Sequence, residues 1–239
     1  MPKVVGFRIY TNTPRPDDAQ INAFRGVPTG NIADAMDRMG AMDYRIKPVS
    51  NNATLCGPAL TVRTRPGDNL MVWKAIEVAT PGDVLVIATY EYPTASTFGE
   101  FVVMAAKARG VVGIVSDGMC RDISGIRATD LPVFAAGTVP SSPQKDGPGE
   151  IGGPVSCGGL AVHPGDMVVG DEDGVVVVPL ADIQAVLGNL KIVQEKEAHM
   201  RAMLEKGFWI PEGINEILSR KECEVIPKGV EQGRSYSGT

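Results

Sequence analysis

Three apolar runs of five residues constrain this chain more than anything else in it: Val84-Leu85-Val86-Ile87-Ala88, Val111-Val112-Gly113-Ile114-Val115 and Leu131-Pro132-Val133-Phe134-Ala135. Runs this short, apolar without alternation, suit strands covered on both faces. Stretches of helical length lie around them. Pro66-Gly67-Asp68-Asn69 opens a helix over about 69–79, which ends at the turn Thr80-Pro81-Gly82-Asp83. A second helix begins at Thr97-Phe98-Gly99-Glu100 and runs to about Arg109, with Gly110 as its stop. A short segment near 123–128 precedes the third run. Cys56-Gly57-Pro58-Ala59-Leu60-Thr61-Val62-Arg63-Thr64 reads as a strand after a Gly-Pro turn.

After residue 136 the pattern changes. Residues 137–153 form a Pro/Gly/Ser-rich loop. Residues 155–162, 166–169 and 175–178 then read as successive strands, separated by Pro164-Gly165-Asp166 and Asp171-Glu172-Asp173-Gly174 turns. A long amphipathic helix is predicted over 180–206, and a polar tail over 207–239 that wraps a neighbour or frays. At the other end, 1–25 is an irregular arm and 41–54 is irregular too. Between them, 29–40 is a helix with Thr29 as N-cap, a stripe of Ile32, Ala35, Met36 and Met39, and Gly40 as its stop. Alternation followed by strands in succession predicts a layered α/β domain rather than a pure doubly wound sheet.

Composition removes several function classes. A chain of 239 residues makes one large domain or two small ones, and 5% aromatics with abundant Gly favours a compact α/β protein. The formal net charge of −5 argues against a nucleic-acid surface, which needs excess Lys and Arg. Cys56, Cys120, Cys157 and Cys223 are scattered with no CxxC pair, so neither a zinc site nor a disulfide framework is predicted, and a reducing cytoplasm is the simplest setting. The N-terminus lacks a signal-peptide core, and no apolar run approaches the roughly 20 residues that span a bilayer.

Chemistry concentrates where the second apolar run ends. Ser116-Asp117-Gly118-Met119-Cys120-Arg121-Asp122 reads as an Asp-Gly turn that presents a cation and a carboxylate side by side on the rim of a sheet. Such a pair can hold an anionic ligand and a metal ion.

This stretch joins Gly67-Asp68-Asn69-Leu70, Pro81-Gly82-Asp83-Val84-Leu85-Val86, Gly99-Glu100 and Pro164-Gly165-Asp166-x-x-x-Gly170-Asp171-x-x-Gly174-Val175. In this order and spacing they resemble the RraA-like family, from about residue 25 to 205. That family includes class II 4-hydroxy-4-methyl-2-oxoglutarate/4-carboxy-4-hydroxy-2-oxoadipate aldolases and the RraA regulators of RNase E. The resemblance implies a layered β/β/α swivelling-type single domain over 1–239: an arm at 1–25, a core at 25–205, and an extension at 206–239 that contacts a neighbouring subunit. It also implies a homotrimer or hexamer with active sites at subunit boundaries.

The family's aldolase signature is an acidic residue, twenty intervening residues, then Arg-Asp. Glu100, residues 101–120, Arg121 and Asp122 fit it, with Glu where the characterised aldolases carry Asp. By position, Asp122 resembles the metal-binding carboxylate and Arg121 the residue that meets the keto acid. Glu100 resembles the second carboxylate, acting through metal-bound water. Gly99 and the amides of Phe101 and Val102 fall where the substrate carboxylate docks. A further acid from a neighbouring chain's C-terminal helix is implied, with Glu195 and Glu197 as candidates. The implied cofactor is Mg²⁺ or Mn²⁺, and the implied ligand is a small 2-oxo acid.

The spacing makes chemical sense. A helix of about ten residues from Glu100 descends roughly 15 Å, and a strand of about six residues climbs roughly 20 Å. The chain thus returns to the level it left, where a helix N-terminus also favours a carboxylate. Metal and Arg121 would stabilise a pyruvate enolate as a 4-hydroxy-2-oxo acid is cleaved, and the same enolate chemistry would decarboxylate oxaloacetate. A Schiff-base route needs a desolvated lysine, and nothing marks Lys74, Lys107 or Lys145 as one.

Each residue also has a plainer reading. Asp122 could cap the segment at Ile123, Arg121 could form a surface ion pair, and Glu100 is favoured by the helix dipole alone. Asp171, Glu172 and Asp173 lack the ligand pattern of a calcium loop. His163 and His199 stand alone. Cys120 either has its thiol pKa lowered by Arg121 or simply packs. Asp117 serves its turn. Lys145 and Glu150 line the pocket or tie down their loop, and Trp73 is core or reshapes the pocket. Two functions compete: a metal-dependent pyruvate-forming lyase, and a non-enzymatic regulator that binds an RNase E-like partner. The intact acid–x20–Arg-Asp set favours the enzyme. No glycine-rich nucleotide fingerprint supports a methyltransferase.

Overall fold

The structure, a computed structural model, describes residues 3–211 and 213–226. Its elements in chain order are β1 (Arg8–Ile9), α1 (Asp18–Phe24), α2 (Thr29–Ala35), β2 (Lys47–Pro48), β3 (Leu55–Thr64), α3 (Leu70–Val78), β4 (Val84–Ala88), β5 (Ser96–Phe98), α4 (Glu100–Ala108), β6 (Gly113–Cys120), α5 (Ile123–Thr129) and β7 (Val133–Thr138). There follow β8 (Gly149–Ile151), β9 (Val155–Cys157), β10 (Leu160–Val162), β11 (Met167–Asp171), β12 (Gly174–Val178), α6 (Ile183–Glu205) and α7 (Ile214–Arg220). The chain divides into two compact units after Gln194, within α6.

The apolar runs form the middle of a mixed sheet. Strands β3, β4, β6 and β7 are parallel neighbours, and every residue of β4 is buried. That double coverage is why β4 carries no polar residue. Strand β3 has ten residues and serves two partners on its other side. Its first part pairs antiparallel with β11 (Leu55↔Gly170), and its last part with β8 (Val62↔Ile151).

Three apolar clusters define the layers. Helices α3, α4 and α5 pack on one face of the sheet through Val72, Ala75, Val103, Ala106 and Ile126. On the other face, Val86, Val115 and Phe134 meet the β9–β10 hairpin and β12 through Val155, Val162 and Val177. Beyond that, α1, α2 and the first half of α6 cover β11 and β12 with Phe24, Ile32, Ile183 and Leu190. This is a mixed α/β fold with hairpins and helices on opposite sides of a central sheet.

Several expectations are corrected. Asp117-Gly118 is not a turn: β6 runs through it to Cys120, pairing with β5 and β7. The Asp117 carboxylate accepts from Thr89 N (2.6 Å) and Thr89 Oγ1 (2.9 Å), so it ties β6 to the end of β4. Burial pushes its pKa above the usual carboxylate value. The arm contains α1, whose start is a capping box of Asp17 and Gln20. Residues 41–54 contain β2, which pairs with β7. Helix α2 ends at Ala35, and Met39 is exposed. Thr29 is not its N-cap; its N–H and hydroxyl instead donate to Asp171, at 2.8 and 2.7 Å. Residues 97–98 are strand, so α4 starts at Glu100. The predicted loop 137–153 contributes its ends to β7 and β8, and 155–162 is a hairpin, not one strand.

The second unit contains the C-terminal part of α6 and, after a turn, α7. Phe208, Trp209 and Ile210 are exposed within it. Glu195 and Glu197 are exposed residues of α6. Residues 227–239 of the predicted tail lie outside the described residues.

Candidate active site

Strand β6 delivers the predicted corner. Short β5 lies beside its last residues, and Arg121 N donates to Phe98 O at 3.1 Å. This places Gly99, which precedes α4, directly against Arg121 and Asp122. A Cβ on Gly99 would collide with Asp122 Oδ2 and stand 3.0 Å from Arg121 Cγ. Only glycine lets the helix N-terminus come so close. No side chain caps α4, and its first intrahelical bond is Val103 N to Gly99 O (3.2 Å). The amides of Phe101 and Val102 therefore precede the helical ladder and point out of its positive end.

Asp122 does not cap α5: its side chain makes no capping bond, and its backbone is left-handed at φ 59°, ψ 44°. That conformation costs most residues about 1–2 kcal/mol, less for Asp. The carboxylate is part-exposed, 3.4 Å from Arg121 Nε. The Arg121 guanidinium also bonds Ser142 Oγ.

Arg121, Asp122, Gly99, Phe101 and Val102 border one cavity of about 150 Å³. That is well under the roughly 300 Å³ at the low end of ordinary ligand clefts, so it suits a small acid better than a nucleotide. Asn69 and Trp73 of α3 form a second wall, and Ser142, Pro143 and Lys145 form a third. Glu100 does not border the cavity. Its carboxyl group lies over Gly125 of α5, where an added Cβ would strike it.

The third wall belongs to a strap pinned from beneath. The buried Asp68 carboxylate accepts from Leu70 N (2.9 Å), Asp146 N (2.6 Å) and Gly147 N (2.9 Å). Gln144 N donates to Gly67 O (2.8 Å), and Asn69 N donates to Gln144 O (2.9 Å). Ser96 donates to Ser141 O through both its N–H (2.9 Å) and its hydroxyl (2.7 Å).

Other candidates resolve plainly. Cys120 is buried, which pushes its thiol pKa up to about 12, so proximity to Arg121 does not activate it. Asp171 is occupied by Thr29 and by Asp173 N (2.9 Å). Glu150 lies in β8 and binds Arg63 and Arg8 instead of the cavity. Lys74 pairs with Glu77, and Lys107 bonds Thr129 O. Sequence reading weighed Trp73 and Lys145 without placing them, and it missed Asn69 and Ser142. Asn69 carried no local signal, since an Asn at a helix start normally spends its oxygen on a helix amide, and only the structure shows that it does not.

Among the described residues, no group of three or more His, Cys, Asp or Glu side chains is arranged to hold a metal ion. A hydrated hard cation asks for less: one or two carboxylates, the remaining positions being water. Asp122 offers one oxygen donor at the cavity, whereas the Glu100 carboxyl lies over Gly125 and does not border it. This donor set fits Mg²⁺ or Mn²⁺ held largely by water and substrate, not a closed protein cage.

Comparison with known proteins agrees with this architecture. The family described as RraA-like, Aldolase/RraA, matches residues 29–177. A Halalkalibacterium halodurans protein named "Putative 4-hydroxy-4-methyl-2-oxoglutarate aldolase" is 43% identical over 184 residues, covering 77% of this chain and 88% of its own. An uncharacterised protein of Methanocaldococcus jannaschii is 34% identical, covering 82% and 93%. Among solved structures, a Streptomyces coelicolor protein described as an unusual member of the RNase ES inhibitor RraA protein family superposes with TM-score 0.71 at 28% identity, covering 79% of this chain and 99% of its own.

Proposed function

The chain belongs to the RraA-like family, and on that premise we propose that it is a carbon–carbon lyase. It cleaves a 4-hydroxy-2-oxo acid of the 4-hydroxy-4-methyl-2-oxoglutarate type to pyruvate, with Mg²⁺ or Mn²⁺ as cofactor, and decarboxylates oxaloacetate through the same enolate. One observation carries this reading: Asp122, left-handed and uncapped, faces a small cavity beside Arg121 and an open helix end. The name borne by the Halalkalibacterium relative supports the reaction class.

Each residue then has a task. The Phe101 and Val102 amides and Arg121 bind the substrate carboxylate, and Arg121 also steadies the negative charge that develops on the keto oxygen. Asp122 would hold the cation, and Glu100 would act on it only through intervening water. When bound, that cation supplies Lewis-acid polarisation of the keto group. Glu100 accepts the 4-hydroxyl proton through intervening water. The C3–C4 bond breaks, its electron pair passes into the enolate, and protonation at C3 releases pyruvate. Lys145 offers a cation for a second carboxylate. In a homotrimer or hexamer, Glu195 or Glu197 of a neighbouring copy would add an acid. We place the protein in the cytoplasm; among the described residues no helix is long and apolar enough to cross a membrane.

The test is pyruvate release from 4-hydroxy-4-methyl-2-oxoglutarate and from oxaloacetate, with Mg²⁺, with Mn²⁺ and with excess EDTA. Turnover lost in EDTA, and about 100- to 1,000-fold lower in Arg121→Ala, supports the reading. Turnover that survives both sinks it. The Streptomyces neighbour favours one alternative, a regulator that binds an RNase E-like partner. Partner binding undiminished in the Arg121→Ala variant, without turnover in the wild type, would select it.

A further inference from the structure

Among the described residues, Asn69 Oδ1 and Trp73 Nε1 are the buried side-chain polar atoms with no hydrogen-bond partner. Both residues border the candidate cavity. Trp73 N donates to Asn69 O at 3.2 Å, so the two stand one helical turn apart on the same face of α3. Buried polar atoms in folded proteins are nearly always paired, and two orphans on one cavity wall ask for a partner from outside the chain.

Their chemistry is opposite. An indole N–H only donates, and an amide oxygen only accepts. Asn69 is 4% exposed and occupies the N-cap position of α3, yet makes no capping bond. Asp68 Oδ1 takes the Leu70 N–H in its place, which leaves the Asn69 oxygen unused. A keto or carboxylate oxygen would satisfy Trp73 and set lone pairs against Asn69. An ammonium would satisfy Asn69 and repel the indole N–H. A hydroxyl both accepts and donates through one oxygen. The charged groups at the cavity, Arg121, Lys145 and Asp122, come from its other walls, so α3 is left to read a neutral group.

We propose that Asn69 and Trp73 are specificity-determining residues that read a hydroxyl of the bound acid: Trp73 Nε1–H donates to its oxygen, and the hydroxyl proton is hydrogen-bonded to Asn69 Oδ1 in the bound acid until water carries it to Glu100 on cleavage. This deepens the lyase reading and rests on it only for the identity of that hydroxyl, the one on C4. The wall then favours a hydroxy acid over oxaloacetate, whose keto form has no hydroxyl to offer.

The test uses protein labelled with ¹⁵N at the tryptophan indoles of Trp73 and Trp209, with Trp73→Phe assigning the signals. It is titrated in Mg²⁺ with 2-hydroxy-2-methylglutarate and with 2-methylglutarate, which differ only in the hydroxyl and lack the keto group needed for cleavage. The hydroxy acid should bind at least about tenfold more tightly and move the Trp73 indole N–H downfield, while Trp209 stays in place. Affinities within twofold of each other, binding of neither acid, or an unmoved Trp73 signal at saturation would overturn the proposal. In kinetics, Trp73→Phe and Asn69→Ala should each lower the ratio of kcat/KM for 4-hydroxy-4-methyl-2-oxoglutarate to that for oxaloacetate by at least about tenfold. Equal losses on both substrates would mean packing alone and count against it. If the wild type turns over neither compound, the lyase reading fails, and the titration still decides whether the wall reads a hydroxyl.

Discussion

Two acid-bearing corners of the molecule look alike in sequence and differ in what their carboxylates accept. Along the β11–β12 hairpin, Asp166 at the open end takes His163 N (2.7 Å) and Leu180 N (2.9 Å), while Asp171 at the turn takes Thr29 and Asp173 N. Those oxygens are spent on holding the chain's own turns. At the β6–α5 corner, Asp122 makes no capping bond, adopts a left-handed backbone and faces a cavity beside Arg121. A carboxylate that receives backbone amides is part of the frame. One that receives none, in a conformation its backbone would not choose, is available to a ligand.

The comparison breaks first at Asp122. Asp122→Gly should lower pyruvate release about 100- to 1,000-fold, while urea unfolding shows stability unchanged or raised by about 1 kcal/mol, because glycine accepts the left-handed backbone. A parallel loss of stability would move Asp122 into the frame. Asp68→Ala sharpens the other side. It strands three amides, so unfolding should report a loss of about 2–3 kcal/mol, with a raised KM as the strap loosens. Asp171→Ala should cost about 1–2 kcal/mol, with kcat/KM within about twofold of wild type.

The smallest effect is at Asp117. Burial raises its folded-state pKa above the ordinary 3.8, so the folded protein holds that proton more tightly than the unfolded chain. Its contribution is therefore fully present below the unfolded value and lost as pH rises through the raised one. Asp117→Asn keeps the acceptor for Thr89 and cannot ionise. Its stability relative to wild type should grow as pH rises from below 3.8 through the raised folded-state pKa, as read by urea midpoints. A flat difference would show that the Thr89 bonds offset the burial.

What the sequence disclosed follows from where the information lies. Strands β4, β6 and β7 were legible because double burial leaves an unbroken apolar run. Two- and three-residue strands such as β1, β2, β5 and β8 exist only because a neighbour pairs with them, and no local pattern announces that. Asp117-Gly118 carries turn chemistry that pairing with β5 and β7 overrides. The capping box at Asp17 and Gln20 was legible by its spacing and was not read. In the site, the return of the Arg121–Asp122 corner to the end of the helix that begins at Glu100 followed from element lengths. The turning of Glu100 onto Gly125, and the unpartnered state of Asn69 and Trp73, depend on how neighbouring elements close around them.

The strap over the cavity has an evolutionary consequence. Its anchors are mostly main-chain groups, Ser141 O, the Gln144 backbone and the amides of Asp146 and Gly147, with side-chain bonds from Arg65 to Gln144 Oε1 (3.0 Å) and from Arg121 to Ser142 Oγ. The side chains it lowers toward the ligand are those of Ser142, Pro143 and Lys145. Most of the fastening is thus written in main-chain atoms, so much of this segment can be rewritten like interchangeable type in a fixed frame. Descendants of this chain could retune which acid they accept through position 145 of the strap as well as through the α3 wall, while Asp68 keeps the lettering in line.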